Sequence, residues 1–216
     1  MYRSIRRTLL EDFIEESIGF WSGTLIDIGG ERSSYRGKLN VDELKNIVRV
    51  VLNPDPRANP DHLGYAEELP FQSSEFDYAL LVEVLEHLEQ PESALEELAR
   101  VLKPQGQAVV SMPFAYRVHG DPADFTRWTE DKLRLATSHC GLKVIEFRWL
   151  GSGASAVFDA LQAHLQSGES KTRFATALVL ALRLLKKPIM TLDPCARDPK
   201  RKPAFSGGWA ALLEKH

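Results

Sequence analysis

Apolar runs alternate with amphipathic segments along most of this chain. Short runs rich in apolar and β-branched residues are typical of strands that are buried on both faces of a parallel sheet. The pattern predicts six strands, at residues 24–28, 47–52, 78–82, 108–112, 142–150 and 209–214.

Helical spacing marks the segments between these strands. Residues 2–20, 91–102 and 129–141 carry apolar side chains three and four positions apart, as expected for helices with one buried face. Thr129 is predicted to be the N-cap of the third helix. Gly106 is predicted to be the stop signal after the second helix.

The alternation of strands and helices predicts an α/β fold with a parallel sheet. We expect one domain over residues 1–216, with an N-terminal helix in residues 1–22 and a ligand-binding core in residues 24–150. Residues 152–206 are too many for a simple connection and predict a helical insertion before a final strand at 208–215.

Charge and cysteine usage narrow the function classes. The net charge of −3 argues against a general polyanion binder, so no nucleic-acid partner is expected. Cys140 and Cys195 form no CxxC pair and are expected to be free thiols in a reducing compartment.

The apolar stretch 174–185 is too short to span a bilayer. No signal peptide is recognised, and we expect a cytoplasmic protein without a transmembrane segment.

Three polar segments follow predicted strands, where α/β sheets bind their ligands. They are DIGGERSS at 27–34, NPDPRANPD at 53–61 and VEVLEHL at 82–88. A glycine turn lets the backbone approach a ligand closely, and a polar group after the second strand can reach ribose hydroxyls. This layout predicts a site for a nucleoside-bearing cofactor.

A dinucleotide is the less favoured cofactor. Its binding turn requires G-x-G-x-x-G, whereas here Gly29 and Gly30 are followed by Glu31, Arg32 and Ser33. A carboxylate at position 31 would repel a pyrophosphate.

Several motifs occur in an order that resembles the class I S-adenosylmethionine-dependent methyltransferases, in particular the broad "methyltransferase domain" group. They are LIDIGG (25–30), AEELPF (66–71), FDYALLVEVLEHL (76–88), ALEELARVLKPQGQAVVSMPF (94–114) and HGDPADFTRWT (119–129), with an echo in GGWAALLEK (207–215). The resemblance covers residues 24–150. It implies a Rossmann-like, doubly wound, mostly parallel seven-stranded sheet whose last strand is antiparallel, with a helical insertion before it.

The same resemblance implies S-adenosylmethionine as the cofactor. By position, Asp27, Gly29 and Gly30 would hold its methionine end, Asn53 or Asp55 its ribose, Ala66 and Glu67 would lie near its adenine, and Val82 and Glu83 would form the floor.

The first motif departs from the family's D-x-G-x-G-x-G pattern. Glu31 and Ser33 replace glycines, and Asn53 stands where an acid is usual. A left-handed backbone at residue 31 would cost about 1–2 kcal/mol for a non-glycine residue. Arg32 is positioned to neutralise Glu31. We therefore predict a drifted site that still binds its cofactor, with reduced affinity.

The loop HGDPADFTRWT supplies the candidate catalytic residues. His119 is the candidate base for a hydroxyl acceptor, oriented by Asp121 or Asp124. The alternative is a loop held by its own hydrogen bonds. Glu83, Glu86 and His87 have E-x-x-E-H spacing, and quinone-type O-methyltransferases of the family hold magnesium with a similar stretch. Here we expect a solvated or helix-capping role and no metal.

The resulting hypothesis is methyl transfer to a small hydroxylated or amino-bearing acceptor, including a sugar-linked one. The insertion at 152–206 is expected to wall the acceptor pocket or to make a contact in a homo-oligomer. Two rivals are a non-catalytic protein that keeps the fold and binds a partner, favoured by the altered glycine motif, and a nicotinamide-dependent oxidoreductase.

Overall fold

The computed structural model describes residues 3–32, 46–120, 123–166, 173–198 and 200–216. The helices in these ranges are α1 (Ile5–Ile18), α2 (Pro91–Val101), α3 (Glu130–His139), α4 (Gly153–Gln166), α5 (Arg173–Leu192) and α6 (Pro194–Arg197). The strands are β1 (Gly23–Ile28), β2 (Ile47–Asn53), β3 (His62–Leu63), β4 (Phe76–Val82), β5 (Leu102–Pro113), β6 (Leu142–Trp149) and β7 (Gly208–Lys215).

The strands form one seven-stranded sheet in the order β3-β2-β1-β4-β5-β7-β6. β1 runs parallel to β2 and to β4, and β4 runs parallel to β5. β7 is antiparallel, because its first residue, Gly208, accepts a bond from Leu150 after the end of β6, and His216 donates to Gly141 before the start of β6. The predicted fold, with its antiparallel last strand and helical insertion, is confirmed.

Strand order reverses between β1 and β4, which creates a crevice at the carboxyl ends of the strands. The apolar runs that predicted these strands are buried on both faces, with Leu25, Ile26, Leu80 and Leu81 excluded from solvent. The polar residues that follow these strands are therefore attached to a rigid, buried part of the sheet.

Two local predictions about element boundaries were wrong. The polar segment at 53–61 leads directly into the short strand β3, which the hydrophobic pattern did not predict. Gly106 does not stop a helix, because α2 ends at Val101 and residues 102–113 are strand. A Cβ on Gly106 would lie 2.8 Å from the Lys103 carbonyl oxygen, so this glycine permits a close backbone approach inside β5.

The described residues divide into two compact units. The larger unit comprises residues 11–112, 119–147 and 210–216 and contains β1 to β4 with the crevice. The smaller unit comprises residues 1–10, 113–118 and 148–209 and contains α4, α5 and α6. The insertion predicted at 152–206 is helical, as expected.

Several smaller expectations are also settled by the structure. Thr129 caps α3, with its side-chain oxygen accepting from Lys132 N at 3.3 Å. Cys140 and Cys195 are both free thiols. Among the described residues, none of the helices is both long and apolar enough to cross a bilayer.

Candidate cofactor and acceptor site

The turn after β1 requires both of its glycines. Gly29 has φ 73°, and a Cβ there would lie 2.5 Å from Val84 Cγ2. A Cβ on Gly30 would lie 2.4 Å from Asp27 Cγ. Because the two glycines have no side chains, the turn can pack against the side chains of Asp27 and Val84, and its backbone can approach a ligand closely.

Asp27 is fully buried and forms an ion pair with Arg49 of β2. The Arg49 Nη2 atom donates to Asp27 Oδ2 at 2.7 Å, and Nε donates to the same oxygen at 3.2 Å. Arg49 Nη2 also donates to the backbone oxygen of Glu31 at 3.0 Å. The acid predicted for the methionine end of the cofactor is thus neutralised by an internal cation. The sequence signal for Arg49 was a lone charge inside the apolar run IVRVVL.

Two expectations about the turn were wrong. Glu31 is exposed and is not among the described non-glycine residues with positive φ, so the left-handed strain expected there is absent. Arg32 pairs with Asp61 at 2.8 Å rather than with Glu31, and its Nη1 donates to the Arg49 backbone oxygen. Ser33 lies outside the described residues.

Asn53, at the end of β2, joins this turn to the following loop. Its Nδ2 donates to the Gly30 oxygen at 2.8 Å, and its Oδ1 accepts from Asp55 N at 2.9 Å. Asp55 caps the short turn that follows and binds Arg57 through both carboxylate oxygens. The Arg57 hydrogen bonds hold the pKa of Asp55 below its usual range, so this carboxylate stays ionised.

Glu83 follows β4 in a left-handed conformation, with φ 58°. Its backbone N donates to the Ser111 oxygen, and its Oε1 accepts from Ser111 Oγ at 3.2 Å. A non-glycine residue in this region costs about 1–2 kcal/mol, and such strain concentrates at ligand sites. Val82 is buried beneath it, Ala66 is buried and Glu67 is half-buried.

A cluster of two histidines and a glutamate lies after β4 in the same unit. Glu86, His87 and His119 each present one donor atom, and these atoms lie within 4.8 Å of one another. Glu86 is fully buried, so it is not solvated. Glu83 is not part of this cluster, although the sequence spacing had grouped it with Glu86 and His87.

Asp124 holds the loop that carries His119. Its Oδ2 accepts from His119 N at 2.9 Å and lies 3.4 Å from His119 Nδ1. Arg127 binds both Asp124 carboxylate oxygens, and this pairing holds the pKa of Asp124 well below its usual range. Asp121, the other candidate partner of His119, lies outside the described residues.

Comparison with known proteins shows a similarity to methyltransferases over part of the chain. Residues 40–110 match the family model described as a methyltransferase domain. A demethylmenaquinone methyltransferase of Bacillus licheniformis is 33% identical over 93 residues, which are 42% of this chain and 39% of that protein. Over these residues the chain is similar to the class I S-adenosylmethionine-dependent methyltransferases.

Solved structures of methyltransferases share the fold of this chain. A SAM-dependent methyltransferase from Archaeoglobus fulgidus has a TM-score of 0.59 at 14% identity, covering 97% of this chain and 94% of that one. The [4+2]-cyclase SpnF also has a TM-score of 0.59, at 20% identity, covering 95% and 79% of the two chains. The curated relatives are matched over only 39% to 47% of their own length.

The residues in the crevice fit the nucleoside end of S-adenosylmethionine better than its amino-acid end. Asn53, Asp55 and the strained Glu83 offer polar atoms after β2 and β4, the two strands that flank β1. Asp27 instead has its charge satisfied by Arg49. The residues present can therefore hold the cofactor, with an altered contact for its methionine moiety.

Proposed function

We propose that the chain transfers the methyl group of S-adenosylmethionine to a hydroxyl or amino group of a small molecule, including a sugar-linked one. The observation that carries this proposal is the strained Glu83 beside the glycine turn and Asn53, all in one unit and all at carboxyl ends of parallel strands. Asp27, Gly29 and Gly30 form the methionine end, Asn53 and Asp55 the ribose end, and Ala66 and Glu67 the adenine end.

Methyl transfer depends mainly on the alignment of the reacting atoms, because the methyl group on the sulfonium is already activated. A lone pair of the acceptor oxygen or nitrogen forms a bond to the methyl carbon. The carbon–sulfur bond breaks with its electron pair remaining on sulfur, which yields S-adenosylhomocysteine, and the acceptor loses its proton. The protein has to hold nucleophile, carbon and sulfur in line.

His119 is proposed to act on the acceptor rather than on the cofactor, with Asp124 orienting it. Support comes from the two Asp124 contacts, one to the His119 backbone N and one near its ring. Once an acceptor is known, His119→Ala should lower kcat by about 100-fold, the low end for a positioned reacting group, while the Kd for S-adenosylhomocysteine stays unchanged. His139→Ala, at an exposed histidine of α3, is the matched control. Parallel losses of kcat and cofactor affinity would reject the assignment.

The buried Asp27–Arg49 pair favours a second candidate function, a non-catalytic protein that keeps the methyltransferase fold and acts by binding a partner. Arg49 satisfies the charge of the acid that the family motif supplies, which leaves the turn complete without a cofactor.

Ligand binding separates these functions. We expect S-adenosylmethionine and S-adenosylhomocysteine to raise the Tm of the purified chain, and NAD to leave it unchanged. At a ligand concentration of 100 times the Kd, the stabilisation would be about 2.7 kcal/mol. No Tm shift and no calorimetric heat with either sulfur ligand at millimolar concentration would reject the enzyme and leave the partner-binding function. A response to NAD alone would indicate an oxidoreductase.

A further inference from the structure

We propose that Glu86, His87 and His119 form a binding site for one divalent transition-metal ion of the zinc and iron(II) class. The donor set is one carboxylate and two imidazoles, contributed by the short turn Leu85–His87 and by the loop after β5. Metal binding at this cluster does not depend on the proposed methyl transfer and can be measured without cofactor or acceptor.

The spacing of the donor atoms suits a single ion. Ligand atoms about 2.1 Å from a tetrahedral ion lie about 3.4 Å from one another. His87 Nε2 is 3.7 Å from Glu86 Oε1, and the donor atoms of all three residues lie within 4.8 Å. The rings of His87 and His119 meet edge to face, with centroids 5.0 Å apart. Small side-chain rotations would bring the donors onto one centre.

Charge also favours a cation at this position. Glu86 is fully excluded from solvent, and its carboxylate lies beside two imidazoles, which can accept or share a cation. Buried carboxylates are common ligands of metal ions. A divalent ion would therefore meet one carboxylate charge and leave the centre with net positive charge.

The surrounding contacts match those of metal-ligating histidines. Such histidines usually direct their second ring nitrogen at a carbonyl or a carboxylate, which fixes the tautomer and the orientation of the ring. His87 Nδ1 lies 2.5 Å from the Ala123 carbonyl oxygen, so that Nε2 is the nitrogen turned toward Glu86. His119 Nδ1 lies 3.4 Å from Asp124 Oδ2, so we take Nε2 as its ligating atom.

This ligand set differs from the E-x-x-E-H set that the sequence spacing suggested. Glu83 accepts from Ser111 and stands outside the cluster, while His119, more distant in the chain, takes part in it. Two imidazoles with one carboxylate suit zinc, iron(II) or nickel(II), whereas magnesium prefers oxygen ligands in a near-ideal octahedron. The expected selectivity is therefore for transition metals over magnesium.

Three protein ligands leave at least one coordination position open to a further oxygen. An ion held by these residues would lower the pKa of a hydroxyl bound at the open position. With the ion bound, His119 would be a ligand, and the metal would supply the activation of the acceptor proposed above for the imidazole.

The test is metal titration of the full chain after treatment with a chelator and dialysis. Calorimetry should show one equivalent of Zn²⁺ bound with a Kd of about 1 µM or below, a range that three side-chain ligands reach readily. Mg²⁺ should show no saturable binding at millimolar concentration. Co²⁺, used as a coloured substitute, should give the visible absorption of a site with nitrogen and oxygen ligands.

Matched variants locate the ion. Glu86→Gln keeps the shape of the side chain, and His87→Ala removes one ligand; each should weaken Zn²⁺ binding by about 100-fold or more. Asp124→Asn leaves the three ligands in place but alters the partner of both His119 and Arg127, and should weaken binding by about 10-fold. His139→Ala, next to Cys140 on α3, should bind Zn²⁺ like the wild type.

Two results would overturn the proposal. One is the absence of stoichiometric Zn²⁺ or Co²⁺ binding by the wild-type chain. The other is a loss of binding in His139→Ala with full binding in Glu86→Gln and Asp124→Asn, which would put the ion at the His139–Cys140 pair. Circular dichroism of each variant checks that the fold is retained. If His87→Ala fails to fold, Glu86→Gln and Asp124→Asn still decide the question.

Discussion

Arg49 is the residue that most changes the electrostatics of the cofactor crevice. Its guanidinium lies between the Asp27 carboxylate and the Glu31 backbone oxygen, and both members of the ion pair are almost entirely buried. A buried pair of this kind contributes little net stability over an apolar pair, but removing one partner leaves an uncompensated buried charge.

We therefore expect Arg49→Met to lower the free energy of unfolding by about 3–5 kcal/mol. The double variant Asp27→Leu/Arg49→Met should recover most of this loss, because no unpaired charge then remains buried. Urea unfolding of the wild type, both single variants and the double variant measures the coupling. Additive losses in the double variant would show that the two side chains do not stabilise each other.

Glu31 is expected to weaken cofactor binding only through its charge, since its backbone is not left-handed. Glu31→Gly and Glu31→Gln should both bind S-adenosylhomocysteine more tightly, by about two- to fivefold at low salt, which is typical of one exposed charge pair. The gain should shrink at high ionic strength because the site is exposed. Calorimetric titrations at two salt concentrations test this. Weaker binding by both variants would mean that Glu31 contacts the cofactor favourably.

Among the elements, β1, β4 and β5 are joined at their starts by one carboxylate. Asp77 of β4 accepts from Thr24 N and Oγ1, each at 2.9 Å, and from Lys103 Nζ at 2.7 Å. Burial raises the pKa of Asp77, but these hydrogen bonds outweigh burial and the pKa is lowered overall. A carboxyl with a lowered folded-state pKa adds stability above its unfolded pKa of about 3.9 and loses it as the pH falls through the folded value.

Lys103→Met removes one of the groups that lower the pKa of Asp77. The stabilising contribution of this carboxylate should then be smaller at neutral pH and vanish at a higher pH, so acid unfolding should begin at a higher pH than in the wild type. Lys143→Met, at an exposed lysine of β6, is the control. Identical acid-unfolding curves for wild type and Lys103→Met would contradict this account of the strand junction.

Helix α5 confirms the helical pattern read at 174–185, but its apolar side chains are unevenly buried. Val179 is buried, whereas Leu184 is 79% exposed. Lys186 Nζ ties the helix to the start of the chain by donating to the Arg3 oxygen and to Thr8 Oγ1.

Hydrogen exchange should show the backbone amides of 177–187 protected relative to the loop at 114–120, because they lie inside a continuous helix. Lys186→Met should speed exchange in α5, while Lys187→Met, one residue along, should leave it unchanged. Fast exchange throughout 174–185 in the wild type would mean that this segment is a loose appendage.

At the scale of the whole molecule, the antiparallel last strand, β7, lies between β5 and β6 in the sheet. Trp209 of β7 is among the largest fully buried side chains. Trp209→Ala should lower the free energy of unfolding by about 3–5 kcal/mol, because it leaves a cavity in a packed core. Phe20→Ala, at an aromatic side chain that is 94% exposed, should change it little. Comparable urea midpoints for the two variants would contradict this prediction.

The sequence was sufficient for the order of elements and for part of the site. Hydrophobic periodicity is a local property, and it located β1, β2 and β4 within two residues of their observed starts and ends. Gly29 and Gly30 were also found locally, because a tight turn after a buried strand demands glycine. Two-residue strands such as β3 carry too little periodicity to be recognised.

What the sequence by itself determined was the class of fold, the resemblance to class I methyltransferases and the edge of the sheet where polar residues collect. Only the tertiary structure decided which of those residues contact one another. Asp27 pairs with Arg49 and not with a ligand, and Arg32 pairs with Asp61 and not with Glu31. Glu86 and His87 cluster with His119 and not with Glu83. The physical reason is that an ion pair or a donor cluster depends on side-chain direction and on contacts between distant segments. Neither is encoded in local spacing, and both appear only when the strands and loops have packed.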